Sequence, residues 1–102
     1  MTQAGPTSFE TLLSNPAAVL INVHVPYEGE IAGTTRFIAF DTIASDPGLP
    51  RGKATPILLY CETGNMSSIA AAALTNAGYT NVTELTGGMQ AWQASGRTIV
   101  AR

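Results

Sequence analysis

One cysteine and one histidine occur in the 102 residues of the chain. A lone cysteine makes no internal disulfide, and the pair falls short of the four ligands of a structural zinc site. A disulfide scaffold is excluded, and a metal centre is not expected. Charge is scarce as well, at 12% of residues, where an ordinary domain carries about 25%. Five basic against seven acidic residues leave a net charge of −2 and a pI near 5.1. A nucleic-acid binder carries a basic face, commonly with a pI above ~9, and none is present. A polybasic membrane-surface segment is missing for the same reason. The longest apolar runs, Pro56–Cys61 and Ile69–Leu74, fall far short of the ~20 residues needed to span a bilayer. Met1-Thr2-Gln3-Ala4-Gly5-Pro6 has neither the basic nor the apolar region of a signal peptide. The expected compartment is therefore a reducing cytoplasm; an exported origin with its signal removed is the alternative.

What is present is apolar. Hydrophobic residues make up 45% of the chain and mean hydropathy is +0.16, which excludes disorder and suits one folded domain. Residues 1–6 read as a flexible lead-in, and 7–102 as the domain. Ser8 is placed to cap a helix through Phe9, Leu12 and Leu13 that Asn15-Pro16 stops. Ala18–Val25 is nearly continuous apolar and β-branched, as strands buried on both faces are. Phe37–Phe40 is a second expected strand, followed by a short helix that Asp41 would cap. Ile57–Tyr60 is a third and Val82–Leu85 a fourth. Between them an alanine-rich helix runs from Ser67 to a left-handed cap at Gly78. Gly87-Gly88 leads into a helix through Met89, Ala91 and Trp92, and Ile99-Val100 is expected as a last short strand. Strands alternating with helices predict an α/β domain with a central, mostly parallel sheet of about five short strands flanked by helices.

Cys61 stands where that architecture places ligands, at the carboxyl end of a strand. Six small or polar residues follow it, Glu62, Thr63, Gly64, Asn65, Met66 and Ser67, and lead into the helix. Such a loop turns successive backbone N–H groups inward, and with the helix N-terminus it stabilises a central anion: a thiolate, a persulfide or an oxyanion. Gly64 permits the left-handed backbone that a tight loop needs. A lone cysteine is usually a small core residue. The position of Cys61 weighs instead for a nucleophile.

The stretch Cys61-Glu62-Thr63-Gly64-Asn65-Met66-Ser67-Ser68 resembles the cysteine loop of the rhodanese family of sulfurtransferases. Ala77-Gly78-Tyr79, Asn81-Val82, Leu85-Thr86-Gly87-Gly88-Met89 and Ala91-Trp92 follow in the order of that family's carboxyl half. Leu20-Ile21-Asn22-Val23-His24 and Glu30-Ile31-Ala32-Gly33-Thr34 are similar to its Asp-Val-Arg and His-Ile-Pro-Gly-Ala elements. The resemblance covers about residues 7 to 100 and implies a single rhodanese-like domain. It further implies that Cys61 takes sulfane sulfur from a donor such as thiosulfate, holds it as a persulfide, and passes it to cyanide or a thiol without any cofactor. A protein sulfur donor or acceptor is a further implied partner. The alternative is a sulfur carrier, or a non-catalytic rhodanese-like binding or regulatory module.

Several residues depart from the family pattern. Met66 stands where arginine is common, and Glu62 adds negative charge beside the cysteine. His24 replaces arginine, Asn22 replaces aspartate and Glu30 replaces histidine. A cysteine phosphatase would carry an arginine where Ser67 stands, and a thioredoxin-like enzyme a second cysteine where Gly64 stands. His24 is read as a structural or supporting group rather than as a papain-like partner of Cys61. Arg36 is read as solvated, and Tyr79 and Trp92 as packing residues.

Overall fold

The central strand of the domain has no exposed residue. In the computed structural model, which describes residues 1–101, Ile57–Tyr60 forms β4 with all four side chains buried. Alternation along it splits the core in two. Ile57 and Leu59 join Ile21, Leu74 and Val82 on one face, while Leu58 and Tyr60 join Phe9, Met89 and Trp92 on the other. With both faces covered, each of its side chains packs into one half of the core or the other, which is why it reads as one apolar run.

Five strands form one sheet in the order β1-β5-β4-β2-β3, and every pairing is parallel. β1 is Thr2–Ala4, β2 Val19–Asn22, β3 Arg36–Phe37 and β5 Val82–Leu85. The three α-helices are α1, Pro6–Leu13; α2, Asn65–Asn76; and α3, Gly88–Ala94. None is long and apolar enough to cross a membrane. This is the expected α/β fold with its parallel sheet.

The expectations fail at the ends of elements. The flexible lead-in is instead β1, which pairs Thr2, Gln3 and Ala4 with Thr83, Glu84 and Leu85. Ala4 is buried, and its carbonyl accepts the Thr86 N–H at 2.8 Å. Thr-Gln-Ala carries no apolar alternation, so its pairing comes from β5 and not from its own side chains. α1 starts at Pro6, before Ser8, because proline presets the first helical dihedral, and Gly5 takes the cap position. The 18–25 strand stops at Asn22. The 37–40 strand shrinks to Arg36–Phe37, and the helix expected after Asp41 is one 3₁₀ turn over Ile43–Ser45 with Thr42 before it. Val100 makes a single antiparallel bridge, to Glu30, in place of a strand.

The irregular 23–35 connection is anchored from beneath by Tyr60. Its hydroxyl accepts the Ile31 N–H at 3.0 Å and lies 2.7 Å from Thr34 Oγ1. Burial pushes this phenol above its ordinary value of 10.0, and the bonds to Thr34 and Ile31 offset part of the rise. An acid held neutral in the fold stabilises fully below the unfolded value, and that contribution is lost as pH climbs from there through the folded value. Tyr60→Phe, which orphans the buried Ile31 amide, is expected to cost about 1–3 kcal/mol in urea unfolding at pH 7. The wild type should lose stability above pH ~10 through this group, and the variant should lack that part of the loss.

Candidate functional site

Cys61 follows β4 directly, on the α2 face of the sheet, and is 1% exposed and unpaired. Its Sγ accepts the Gly64 N–H at 2.9 Å, and the thiol faces Ser67 Oγ at 3.6 Å. Gly64 precedes α2 with φ +109°, a conformation that side chains rarely adopt. The helix therefore starts at Asn65, two residues earlier than expected. The N–H groups of Asn65, Met66 and Ser67 lie in its first turn, where a helix provides no acceptor. The Gly64 carbonyl points back into the turn, accepting from Ser67 Oγ at 3.2 Å and Ser68 Oγ at 2.9 Å.

Two groups of contacts fix the loop, and neither follows from the loop's own sequence. The first comes from α3. Met89 N–H donates to the Cys61 carbonyl at 2.8 Å, and Gln90 N–H to the Glu62 carbonyl at 3.0 Å. In a trans peptide the N–H points opposite to the carbonyl, so the Glu62 and Thr63 amides face away from α3. Gly88 makes this approach possible, since a Cβ there would lie 2.5 Å from the Cys61 oxygen and 2.6 Å from the Glu62 oxygen. By sequence alone the Gly87-Gly88 pair reads only as a turn. The second group runs through Glu84, a fully buried carboxylate on β5. Its Oε1 accepts from Gln3 Nε2 at 2.8 Å and Ser68 Oγ at 3.0 Å, and its Oε2 has no partner. The one signal for it in the sequence is a lone charge within an otherwise uncharged strand.

Within the loop 61–67 the Gly64 N–H bonds Sγ and Ser67 Oγ lies beside it, while the residues that follow β2 meet the loop at Glu62. Val23 N–H donates to the Tyr60 carbonyl at 3.0 Å, so the chain leaving β2 runs beside the chain leaving β4. His24 Nε2 bonds the Glu28 carboxylate. With a Glu62 oxygen these ligand atoms lie within 4.8 Å of one another, the one described cluster with metal-holding spacing. Among the described residues His24 makes no hydrogen bond with Cys61. Arg36 is turned away, donating to the Gly48 and Thr35 carbonyls. Asn22 braces the connection instead, donating to the Gly29 carbonyl at 3.0 Å and accepting the His24 N–H at 2.9 Å. Tyr79 and Trp92 are buried packing residues, as expected.

A parallel sheet with one cysteine loop at its carboxyl edge, cradled by a Gly-Gly helix start, defines the class of this domain. The sequence pattern of the rhodanese-like domain matches residues 6–95, and the chain belongs to that family. An uncharacterized protein of Synechocystis sp. is 28% identical over 92 residues, which are 89% of this chain and 51% of that protein. The chain thus spans about half the length of that curated relative. The rhodanese homolog of the extremely thermophilic bacterium Thermus thermophilus superimposes with a TM-score of 0.73 at 28% identity, covering 88% of this chain and 99% of that one. The rhodanese-like domain of the Anabaena sp. protein Alr3790 gives 0.84 at 23% identity, over all of this chain and 80% of that one.

The Gly88 contact can be tested against a glycine without neighbours. Gly88 has φ +61°, and Gly78 has φ +99° with nothing within 4 Å of the position a Cβ would take. Gly88→Ala is expected to lose about 2–4 kcal/mol, from backbone strain plus the clash with the loop, and Gly78→Ala only about 1–2 kcal/mol. Denaturant unfolding of the two variants measures the difference; equal losses would contradict the contact.

Proposed function

We propose that the protein is a sulfurtransferase in which Cys61 is the nucleophile and the amides of residues 62–67 hold the charge. The observation that carries this reading is the Gly64 N–H on Sγ at the open first turn of α2. The Cys61 thiolate attacks the outer sulfur of a sulfane donor. With thiosulfate, the S–S bond breaks, its electron pair leaves with sulfite, and Cys61 keeps the outer sulfur as a persulfide. An acceptor such as cyanide or a thiolate then attacks that sulfur, and the bonding pair returns to Sγ. Both steps place negative charge on sulfur beside the same amides, so one donor set serves the whole cycle. No metal or organic cofactor takes part in either step.

A second reading, a carrier loaded by a partner protein's persulfide, is favoured by the charges around the loop. Glu62 is beside the nucleophile, and Met66, where an arginine would clamp a dianion, packs against the α2 core. Thiosulfate should accordingly be a poor donor, saturating only at high concentration. Cys61→Ser should abolish turnover with thiosulfate and cyanide while leaving the thermal midpoint almost unchanged; retained turnover would sink the proposal. Met66→Arg should lower the thiosulfate KM by an amount worth about 1–3 kcal/mol. Glu62→Gln should act in the same direction but less, through water screening. If neither variant improves KM or kcat/KM, loop charge does not set donor preference.

A further inference from the structure

Of the seven large apolar side chains exposed among the described residues, three gather at one place. Val25, Tyr27 and Phe37, exposed at 43%, 44% and 42%, surround a cavity of about 160 Å³ at the carboxyl ends of β2 and β3. Ile38 and Ala39 complete its walls. The Tyr27 and Phe37 rings meet edge to face with centroids 5.8 Å apart, and the Tyr27 hydroxyl donates to Glu30 at 2.7 Å. Both rings are therefore held in place before anything docks. Single exposed apolar residues need no explanation, whereas a gathered patch with a polar rim marks an interaction surface.

The rim here is acidic. His24 lines the cavity and also belongs to the cluster with Glu28 and Glu62, so two carboxylates stand beside the patch, toward the Cys61 loop. Among the described residues no lysine or arginine forms an ion pair with either. His24 Nε2 bonds Glu28, and even a protonated His24 would cancel only one of the two charges. Arg36 leaves β3 on the face opposite to Phe37 and donates to the Gly48 and Thr35 carbonyls. This charge decides among occupants. It repels a nucleic acid or an anionic bilayer, and a second copy paired about a two-fold axis would set the same carboxylates against each other.

We propose that this face docks a partner protein through an extended segment carrying an apolar side chain and, two residues along, a lysine or arginine. The apolar side chain enters among Val25, Tyr27 and Phe37, and the cation lies against Glu28 and Glu62. Neighbouring strands lie about 4.8 Å apart, and alternate side chains of an extended chain about 6.6 Å apart. Two residues thus span the step from the β2–β3 cavity to the cluster that Glu62 completes. The segment lies beside the Cys61 loop without entering it, so docking does not depend on sulfur chemistry.

Backbone amide NMR of the full chain at low ionic strength tests this with three acetylated, amidated peptides: Phe-Ser-Lys-Ser-Lys, Phe-Ser-Gln-Ser-Gln and Phe-Ser-Glu-Ser-Glu. The lysine peptide should bind at least about fivefold more tightly than the glutamine peptide, with the glutamate peptide weakest. The shifts should centre on Val25, Phe37 and Ala39, and Ala-Ser-Lys-Ser-Lys should bind more weakly than its phenylalanine counterpart. Joint Glu28→Gln and Glu62→Gln substitution should erase the preference for lysine and leave the glutamine peptide unchanged; high salt should erase it too. Equal affinities for the three peptides, or shifts centred elsewhere, would overturn the inference. Concentration-dependent shifts of the same amides without peptide would assign the face to a second copy and overturn it as well. The Cys61→Ser protein should bind the lysine peptide with unchanged affinity, and loss of binding there would count against docking. Docking without persulfide formation overturns the sulfur-transfer reading alone, and persulfide formation without charge-selective docking overturns this inference alone.

Discussion

Two hydrogen bonds from the start of α3 hold the backbone on which the whole site is arranged. Met89 and Gln90 donate to the carbonyls of Cys61 and Glu62, and neither bond could form if Gly88 carried a side chain. Each bond is worth only about 1 kcal/mol to stability. Their larger consequence is directional. With both carbonyls turned to α3, the following amides are turned away from it, and the loop enters α2 through the left-handed Gly64. Under the proposed sulfur-transfer reading the donors must be fixed before the charge arrives, and the α3 contact is what fixes this backbone.

The loop is held from the other side by a buried polar chain. Gln3 on β1, Glu84 on β5 and Ser68 on α2 join through hydrogen bonds, and Ser68 also reaches the Gly64 carbonyl. The strand that resembles a loose terminus is thereby coupled to the turn beneath Cys61. A buried carboxylate is costly unless its oxygens are bonded. Glu84 has two donors on Oε1 and none on Oε2, so β1 supplies half of the satisfaction it has.

How far the sequence could be read followed how local the cause was. Ile57–Tyr60 and Val82–Leu85 are the expected strands residue for residue; in β4 burial on both faces writes itself into every side chain, whereas β5 carries Thr83 and Glu84 inside its buried run. The cysteine loop was legible from its residue types between strand and helix. β1 was not, since Thr2–Ala4 pairs through backbone groups that any sequence has. Gly88 reads as a turn residue because the contact that demands glycine is with a loop distant in sequence, brought close by the docking of α3. His24 and Glu28 are one helical turn apart in sequence, yet their meeting with Glu62 depends on the pairing of β2 with β4. Element type followed from local composition, while the site's supports came from long-range pairing.

Sulfur transfer by this domain requires that Cys61 carry the sulfur. The direct measurement is the mass of the intact protein, followed by peptide mapping, after exposure to excess sulfane donor without oxygen. One added sulfur atom per chain, confined to the peptide containing Cys61 and removed by cyanide, is the predicted result. A folded protein whose Cys61 peptide stays unmodified under those conditions would contradict it.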